Sequence, residues 1–245
     1  MNEQNLNTEN IINEDGDSRQ VELLVMPPPN YDLFGEIPVR SISFNETEII
    51  NNILRLHVEG GQIDLDPTYS IGNFYKPLSI KPKHKFDICP QIEGVLQADS
   101  RQLPFGAGEI KSIMFDPPFV IGGANYETNK EGSSIIAKRF GNFTSWEELQ
   151  EMYSSSLQEF YRILAPNGVL IFKCQDVIVS SKQYISHVYI INEAVRIGFY
   201  CKDLFVYCVR VRITDDRVQQ HARKYHSYYL VFKKTNTKIN YWRTA

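Results

Sequence analysis

The chain has 245 residues, 42% hydrophobic and 22% charged, with a formal net charge of -3. That is ordinary globular composition, sufficient for a large domain with a buried core, and no apolar run approaches the roughly 18 residues of a membrane helix. A membrane partner is therefore not expected, and the four cysteines, with no C-x-x-C spacing, argue for reduced thiols and a cytoplasmic location rather than a disulfide framework.

Charge is distributed unevenly. Residues 1–18 carry five acids and no Lys or Arg, whereas seven Lys/Arg and no acid lie between Arg217 and the end. The acidic start lacks the positive region of a signal or transit peptide. Residues 1–20 are expected to form an acidic flexible tail, 21–236 a single domain, and 237–245 a basic tail. The five histidines never approach the cysteines at ligand spacing, so no metal site is expected.

In chain order, Asn45 with Glu48 suggests a capping box opening a helix through Ile49, Ile50, Ile53 and Leu54 to about Val58, stopped by Gly60-Gly61. "QIDLDP" is expected to be a strand ending at Asp66-Pro67. Three more short strand candidates follow, each ending at an acid: "KFDI" near Asp87, "GVLQAD" at Asp99 and "SIMFD" at Asp116. Repeated "strand, then acid" is the pattern of a parallel sheet collecting polar groups at its carboxyl edge.

Ser145 with Glu148 begins a second helix. Leu149, Met152, Tyr153, Leu157, Phe160, Tyr161 and Leu164 recur there at i, i+3, i+4 spacing. Pro166-Asn167-Gly168 turns the chain into "VLIFKC", a strand buried on both faces. A further helix over about 184–197 leads to "KDLFVYCVRV", and "HSYYLVFKK" closes the series. The expected class is α/β, an open and mostly parallel sheet of about seven strands, with the last two pairing antiparallel at its end.

The chemistry centres on Asp116-Pro117-Pro118-Phe119. Asp before Pro commonly initiates a turn, and that reading stays open. The alternative is a clamp. A carboxylate and a carbonyl next to proline are acceptors with no competing N–H between them, so together they can hold both hydrogens of an aromatic amine while Phe119 stacks on its ring.

On these residues the sequence resembles the amino-methyltransferases, which methylate the exocyclic amine of adenine, cytosine or guanine from S-adenosyl-L-methionine. Their signature is Asp/Asn/Ser-Pro-Pro-aromatic after the fourth strand. The resemblance covers roughly residues 62–234, taking in "ADSRQLPFGAGEIKSIMFDPPF", "EFYRILAPNGVLIFK" and "HSYYLVFKK". It implies a class I methyltransferase-like (Rossmann-like) fold of the small phage type. S-adenosyl-L-methionine would be the cofactor, with Asp116, Pro117, Pro118 and Phe119 in the catalytic clamp. The family loop D-P-x-x-G-x-G maps Asp66, Pro67 and Gly72 onto the cofactor, but Ser70 stands where its first glycine belongs. By the same mapping, Asp87 would accept from the ribose hydroxyls and Asp99 from the cofactor's adenine amine. Each of these acids could instead be an ordinary strand-end or turn residue.

DNA is the expected partner, with adenine N6 as target. RNA methylation at guanine N2 or adenine N6 is the alternative, and a non-catalytic subunit of the same fold is a third reading. Lys138 and Arg139 in the loop after the clamp, and Arg223 and Lys224 before the last strand, are candidate nucleic-acid contacts or solvated loop charge. The candidate loops are too short for a large recognition insert, so a specificity subunit or a homodimer is a further possible partner.

Overall fold

The computed structural model describes residues 8–12, 18–22, 38–121, 143–210 and 220–235. The chain divides into two compact units, Met1–Arg40 and Ser41–Ala245. In the first, β1 (Thr8–Ile12) pairs antiparallel with β2 (Ser18–Glu22), a hairpin that begins in the expected tail and runs two residues past it. The expected basic tail at 237–245 lies outside the described residues.

The second unit is built on one sheet. Its strands are β3 (Ile42–Ser43), β4 (Leu65–Asp66), β5 (His84–Asp87), β6 (Leu96–Gln97), β7 (Ile110–Phe115), β8 (Leu164–Cys174), β11 (Phe199–Cys208) and β12 (His226–Lys234). They lie side by side in the order β3-β11-β12-β8-β7-β4-β5-β6. Every neighbouring pair is parallel except those of β12, which runs antiparallel to both β11 and β8. The α/β class, the parallel majority and the antiparallel last strand agree with the sequence reading. The strand count does not, since the sheet has eight strands rather than about seven. The hairpin β11–β12 also does not end the sheet: β3 lies outside β11, and a two-residue strand is too short to show alternation. A separate hairpin of β9 (Val177–Val179) and β10 (Lys182–Tyr184) lies between β8 and the third helix, where no strand is expected although Val177-Ile178-Val179 is β-branched throughout.

Among the described residues, three longer helices pack with the sheet. The first, α1 (Glu46–His57), is capped by Asn45, whose side chain accepts from Thr47 N–H and Glu48 N–H. Glu48 accepts instead from the Ser43 hydroxyl at 2.6 Å, so the box closes on β3. In α2 (Trp146–Ile163), Ser145 accepts from Glu148 N–H at 3.2 Å, while Glu148 accepts from Thr144 N–H at 2.8 Å. The third helix, α3, spans Ser186–Ile197. Pro166-Asn167-Gly168 does not precede β8 but lies within it, and the pairing with β7 skips from Ile110–Leu164 to Ser112–Val169 across that bulge.

Alternation along the central strands separates two buried faces. Phe115, Leu170, Phe172, Leu230 and Phe232 join one cluster with Leu149, Tyr153, Phe160 and Ile190 of α2 and α3. Met114, Ile171, Tyr229 and Val231 are equally buried but alternate with that set. Tyr229 reaches α1, its hydroxyl donating to Glu46 at 2.7 Å. Phe115 sits edge-on between Phe160 (4.7 Å, 74°) and Phe172 (4.9 Å, 89°). Phe115→Ala should therefore destabilise the protein by about 3–5 kcal/mol, measurable as a lower chemical-denaturation midpoint, with Phe115→Leu costing less.

Candidate active site at the carboxyl edge of the sheet

The loop after β4 folds back on itself. Asp66, 3% exposed, accepts from Thr68 N–H (2.8 Å) and the Thr68 hydroxyl (3.1 Å) on one oxygen and from the Tyr75 hydroxyl (2.7 Å) on the other. Burial pushes its carboxyl from 3.8 up to about 7, the Tyr75 and Thr68 hydrogen bonds only partly opposing it, and Asp116 adds to the rise. Ser70, in the position of the expected glycine, adopts the left-handed region at φ 53. Its N–H donates to Asp87 Oδ2 at 2.9 Å, and Cys89 N–H donates to Asp87 Oδ1 at 2.9 Å. Gly72 is left-handed too, at φ 68, and a Cβ there would lie 2.5 Å from the Tyr69 hydroxyl. The Tyr69 ring stacks on Tyr75 at 5.5 Å. The loop thus has the backbone shape of a glycine-rich turn, with a tyrosine packed against it.

Asp99 caps the turn that follows it, accepting from Arg101 N–H at 2.9 Å and from the Arg101 guanidinium on both oxygens. Those bonds hold its carboxyl below the usual range. A cavity of about 140 Å³ opens here, lined among others by Pro67, Thr68, Asp87, Asp99, Pro117 and Met152. Of the residues singled out in sequence, the structure thus brings Pro67, Asp87, Asp99, Pro117 and Pro118 together around one space. Asp66, Gly72, Asp116 and Phe119 do not line it. Thr68 was not singled out, yet it couples two strand ends: its hydroxyl donates to Asp66 and accepts from Asp116 N–H at 3.0 Å.

Asp116 follows β7, and its side chain is 31% exposed. On the same face, Lys173 interrupts the apolar run of β8 and stands opposite Tyr229 of β12. Its ammonium lies 3.4 Å from Asp116 Oδ2 and 2.8 Å from Glu46 Oε1. Phe74 and Tyr229 present ring faces to it, with centroids at 5.6 and 5.7 Å. Burial would lower this lysine, but the Asp116 and Glu46 carboxylates outweigh it and hold the group charged above its ordinary value. The Pro118 carbonyl accepts from the buried Tyr153 hydroxyl at 3.0 Å. The Pro117 carbonyl accepts from none of the described residues. Sequence reading missed Lys173 and Glu46, although a lone lysine in "VLIFKC" was the available signal.

Arg223 and Lys224 enter β12 at this same edge, both partly exposed. Beside them Asp176, 5% exposed, accepts from His187 Nδ1–H at 2.8 Å. The His187 ring stacks on Tyr228 at 4.1 Å. Lys138 and Arg139 lie outside the described residues. Among the described residues, no cluster of three His, Cys, Asp or Glu side chains could hold a metal, and no helix is long and apolar enough to cross a membrane. Of the cysteines, Cys174 is buried and Cys89 exposed.

In sequence the chain matches no family model and no curated protein. Among solved structures it is similar to TTHA0409 of Thermus thermophilus, a candidate DNA modification methylase complexed with S-adenosyl-L-methionine. That match has 15% identity over 66% of this chain and 58% of the other, with a TM-score of 0.42. It is similar to the PvuII cytosine-N4-specific DNA methyltransferase at 15% identity, over 57% of this chain and 48% of the other, with a TM-score of 0.41. TrmN from Thermus thermophilus is also similar, at 15% identity over 77% of this chain and 48% of the other, with a TM-score of 0.44. The chain thus spans a little over half the length of TTHA0409. Likenesses of this size leave the chemistry to the site's own geometry.

The raised Asp66 carboxyl has a consequence for stability. Its protonated form suits the folded state, so the contribution is fully present below the unfolded value of 3.8 and is lost as pH rises through about 7. About three pH units correspond to on the order of 4 kcal/mol. Melting temperatures measured from pH 4 to pH 8 should fall for the wild type by several degrees more than for Asp66→Asn, which carries no titratable group there.

Proposed function

We propose that the protein is an S-adenosyl-L-methionine-dependent methyltransferase acting on the exocyclic amine of a nucleobase, adenine N6 in DNA. One observation carries the reading. The cavity at the carboxyl edge is lined by Asp87 and Asp99 together with Pro117 and Pro118, the two prolines directly after Asp116.

The residues present fit the adenosyl part of such a cofactor. Asp87 is held rigidly by two backbone N–H groups, which suits a carboxylate that is to accept from vicinal ribose hydroxyls. Ile88, Met152 and Phe143 supply apolar walls for a purine. Asp99 departs from the simplest expectation, because an amine would have to share its oxygens with Arg101. When bound, the cofactor supplies an already activated methyl electrophile.

What remains for the protein is orientation, which can contribute on the order of 7–11 kcal/mol. Asp116 and the Pro117 carbonyl accept the two amine hydrogens, at roughly 1.5–3 kcal/mol for the bond to the carboxylate and roughly 0.5–1.5 kcal/mol for the bond to the neutral carbonyl. These bonds draw the nitrogen lone pair out of ring conjugation and aim it along the transfer line. Phe119, half-buried beside the clamp, offers its ring to the base. In duplex DNA the base must first leave the stack, which costs a few kcal/mol. Arg223 and Lys224 at the same edge suit phosphate contacts that hold the strand. A specificity subunit or a second copy would supply the remaining contacts.

The reading is tested by thermal melting with the cofactor, then by tritiated methyl transfer to DNA and to RNA followed by nucleoside analysis. A shift of a few degrees and label in N6-methyladenine of DNA are expected. Label in RNA would move the proposal to RNA methylation, and no shift at millimolar cofactor would favour a non-catalytic subunit. Asp116→Ala should abolish transfer while leaving the cofactor-induced shift intact; retained transfer would remove Asp116 from the clamp.

A further inference from the structure

The clamp needs Asp116 as a pure acceptor, with its carboxylate held in one orientation, yet the described surroundings of that carboxylate are rich in acids. Asp66 approaches through Thr68, whose hydroxyl bridges the Asp66 carboxylate and Asp116 N–H. Glu46 comes from α1, on the same face of the sheet. Among the described residues, the titratable groups near Asp116 also include Tyr75, Tyr153, Tyr229 and Cys174. Burial drives each of these four well above its ordinary value, so they stay neutral and offset no charge. Lys173 brings a cation against this group.

Its placement follows from register and is not an accident of a flexible side chain. Phe115 pairs with Phe172 and Lys173 pairs with Tyr229, so Asp116, just past the end of β7, continues the face on which Lys173 and Tyr229 stand. Lys173 is 14% exposed in its side chain, and the rings of Phe74 and Tyr229 close around the ammonium. The Tyr229 hydroxyl holds Glu46, and Glu46 holds the ammonium 2.8 Å away. A lysine enclosed this way has little freedom to swing into solvent, and it lies 3.4 Å from Asp116 Oδ2.

We propose that Lys173, braced by Glu46 and Tyr229, is a positioning residue that keeps the Asp116 carboxylate ionised and oriented as the acceptor of the substrate amine. The inference rests on the methyltransferase reading above and deepens it, since it names the group that sets the state of the clamp. Lys173 need not touch substrate or cofactor. Without its charge, Asp116 stands near Glu46 and a partly ionised Asp66 in a partly solvated space, and like charge raises its tendency to take up a proton. A protonated Asp116 offers an O–H where the amine needs an acceptor.

The test uses the full chain with 13C-labelled aspartate carboxyls, the Asp116 signal being identified by its loss in Asp116→Asn. In Lys173→Met the protonation midpoint of Asp116 should rise by about one pH unit or more, the equivalent of losing a partner worth about 1.4 kcal/mol. Lys173→Arg should restore the wild-type midpoint. Glu46→Gln, which removes the competing carboxylate, should lower it, and this variant carries the test should Lys173→Met fail to fold. In methyl-transfer assays the acidic limb of the Lys173→Met kcat–pH profile should move up by as much as the Asp116 midpoint, misorientation should cost up to about 100-fold in kcat, and the cofactor-induced thermal shift should be kept. An unchanged Asp116 midpoint in Lys173→Met, or an unchanged or raised one in Glu46→Gln, would overturn the inference whatever the activity. A shifted midpoint in a protein that methylates no nucleobase would support the linkage and count against the proposed function instead.

Discussion

Parallel strands that end in acids bring carboxylates into a small volume, and the organisation of this edge follows from how each one is accommodated. Asp66 is buried until its proton is retained to about pH 7. Asp87 is satisfied by two backbone N–H groups, and Asp99 by the Arg101 guanidinium. Asp176 is paired with His187, and Asp116 with a buried lysine. These solutions differ in what they leave available. Protonation and guanidinium pairing turn a carboxylate inward, whereas backbone N–H bonds and an ammonium contact hold it ionised as an acceptor.

The loop between β4 and β5 obeys the same constraint in the backbone. A serine held in the left-handed region costs on the order of 1 kcal/mol or more relative to glycine. Here the conformation aims the Ser70 N–H at Asp87, so the strain is offset by a hydrogen bond to a buried carboxylate. Gly72 is different, because the Tyr69 ring occupies the space that any side chain there would need. The short helical turn behind, Asn73–Tyr75, then places the Tyr75 hydroxyl on Asp66 and the Phe74 ring over Lys173. One loop thereby serves both the cavity and the surroundings of Asp116.

The face on which each group stands decides which groups meet. Phe115, Phe172 and Leu230 point into the core with α2 and α3. Their neighbours Asp116, Lys173 and Tyr229 turn to α1, where Glu46 in its first turn meets them. An acid is electrostatically at home in the first turn of a helix. Here Glu46 is also the bridge between that helix and the site.

Much of this was legible in the residues taken alone. The strand runs ending at Asp66, Asp87 and Asp116, the helical spacing from Leu149 to Phe160, and the Asn45 and Ser145 caps are local patterns, and local patterns report local backbone. The tetrapeptide at Asp116 could be read as a candidate clamp for a similar reason, because the chemistry of a carboxylate next to two prolines lies in adjacent residues. The structure alone placed β3 beside β11 and enclosed the Pro166-Asn167-Gly168 bulge within β8. It also turned the Asp66 oxygens inward and set Lys173 between Glu46 and Asp116. Those decisions are made between residues far apart in the chain, Glu46 and Lys173 among them. Strand register and the pairing of buried charge depend on which surfaces meet, and a sequence pattern with a period of two or 3.6 residues carries no information about that.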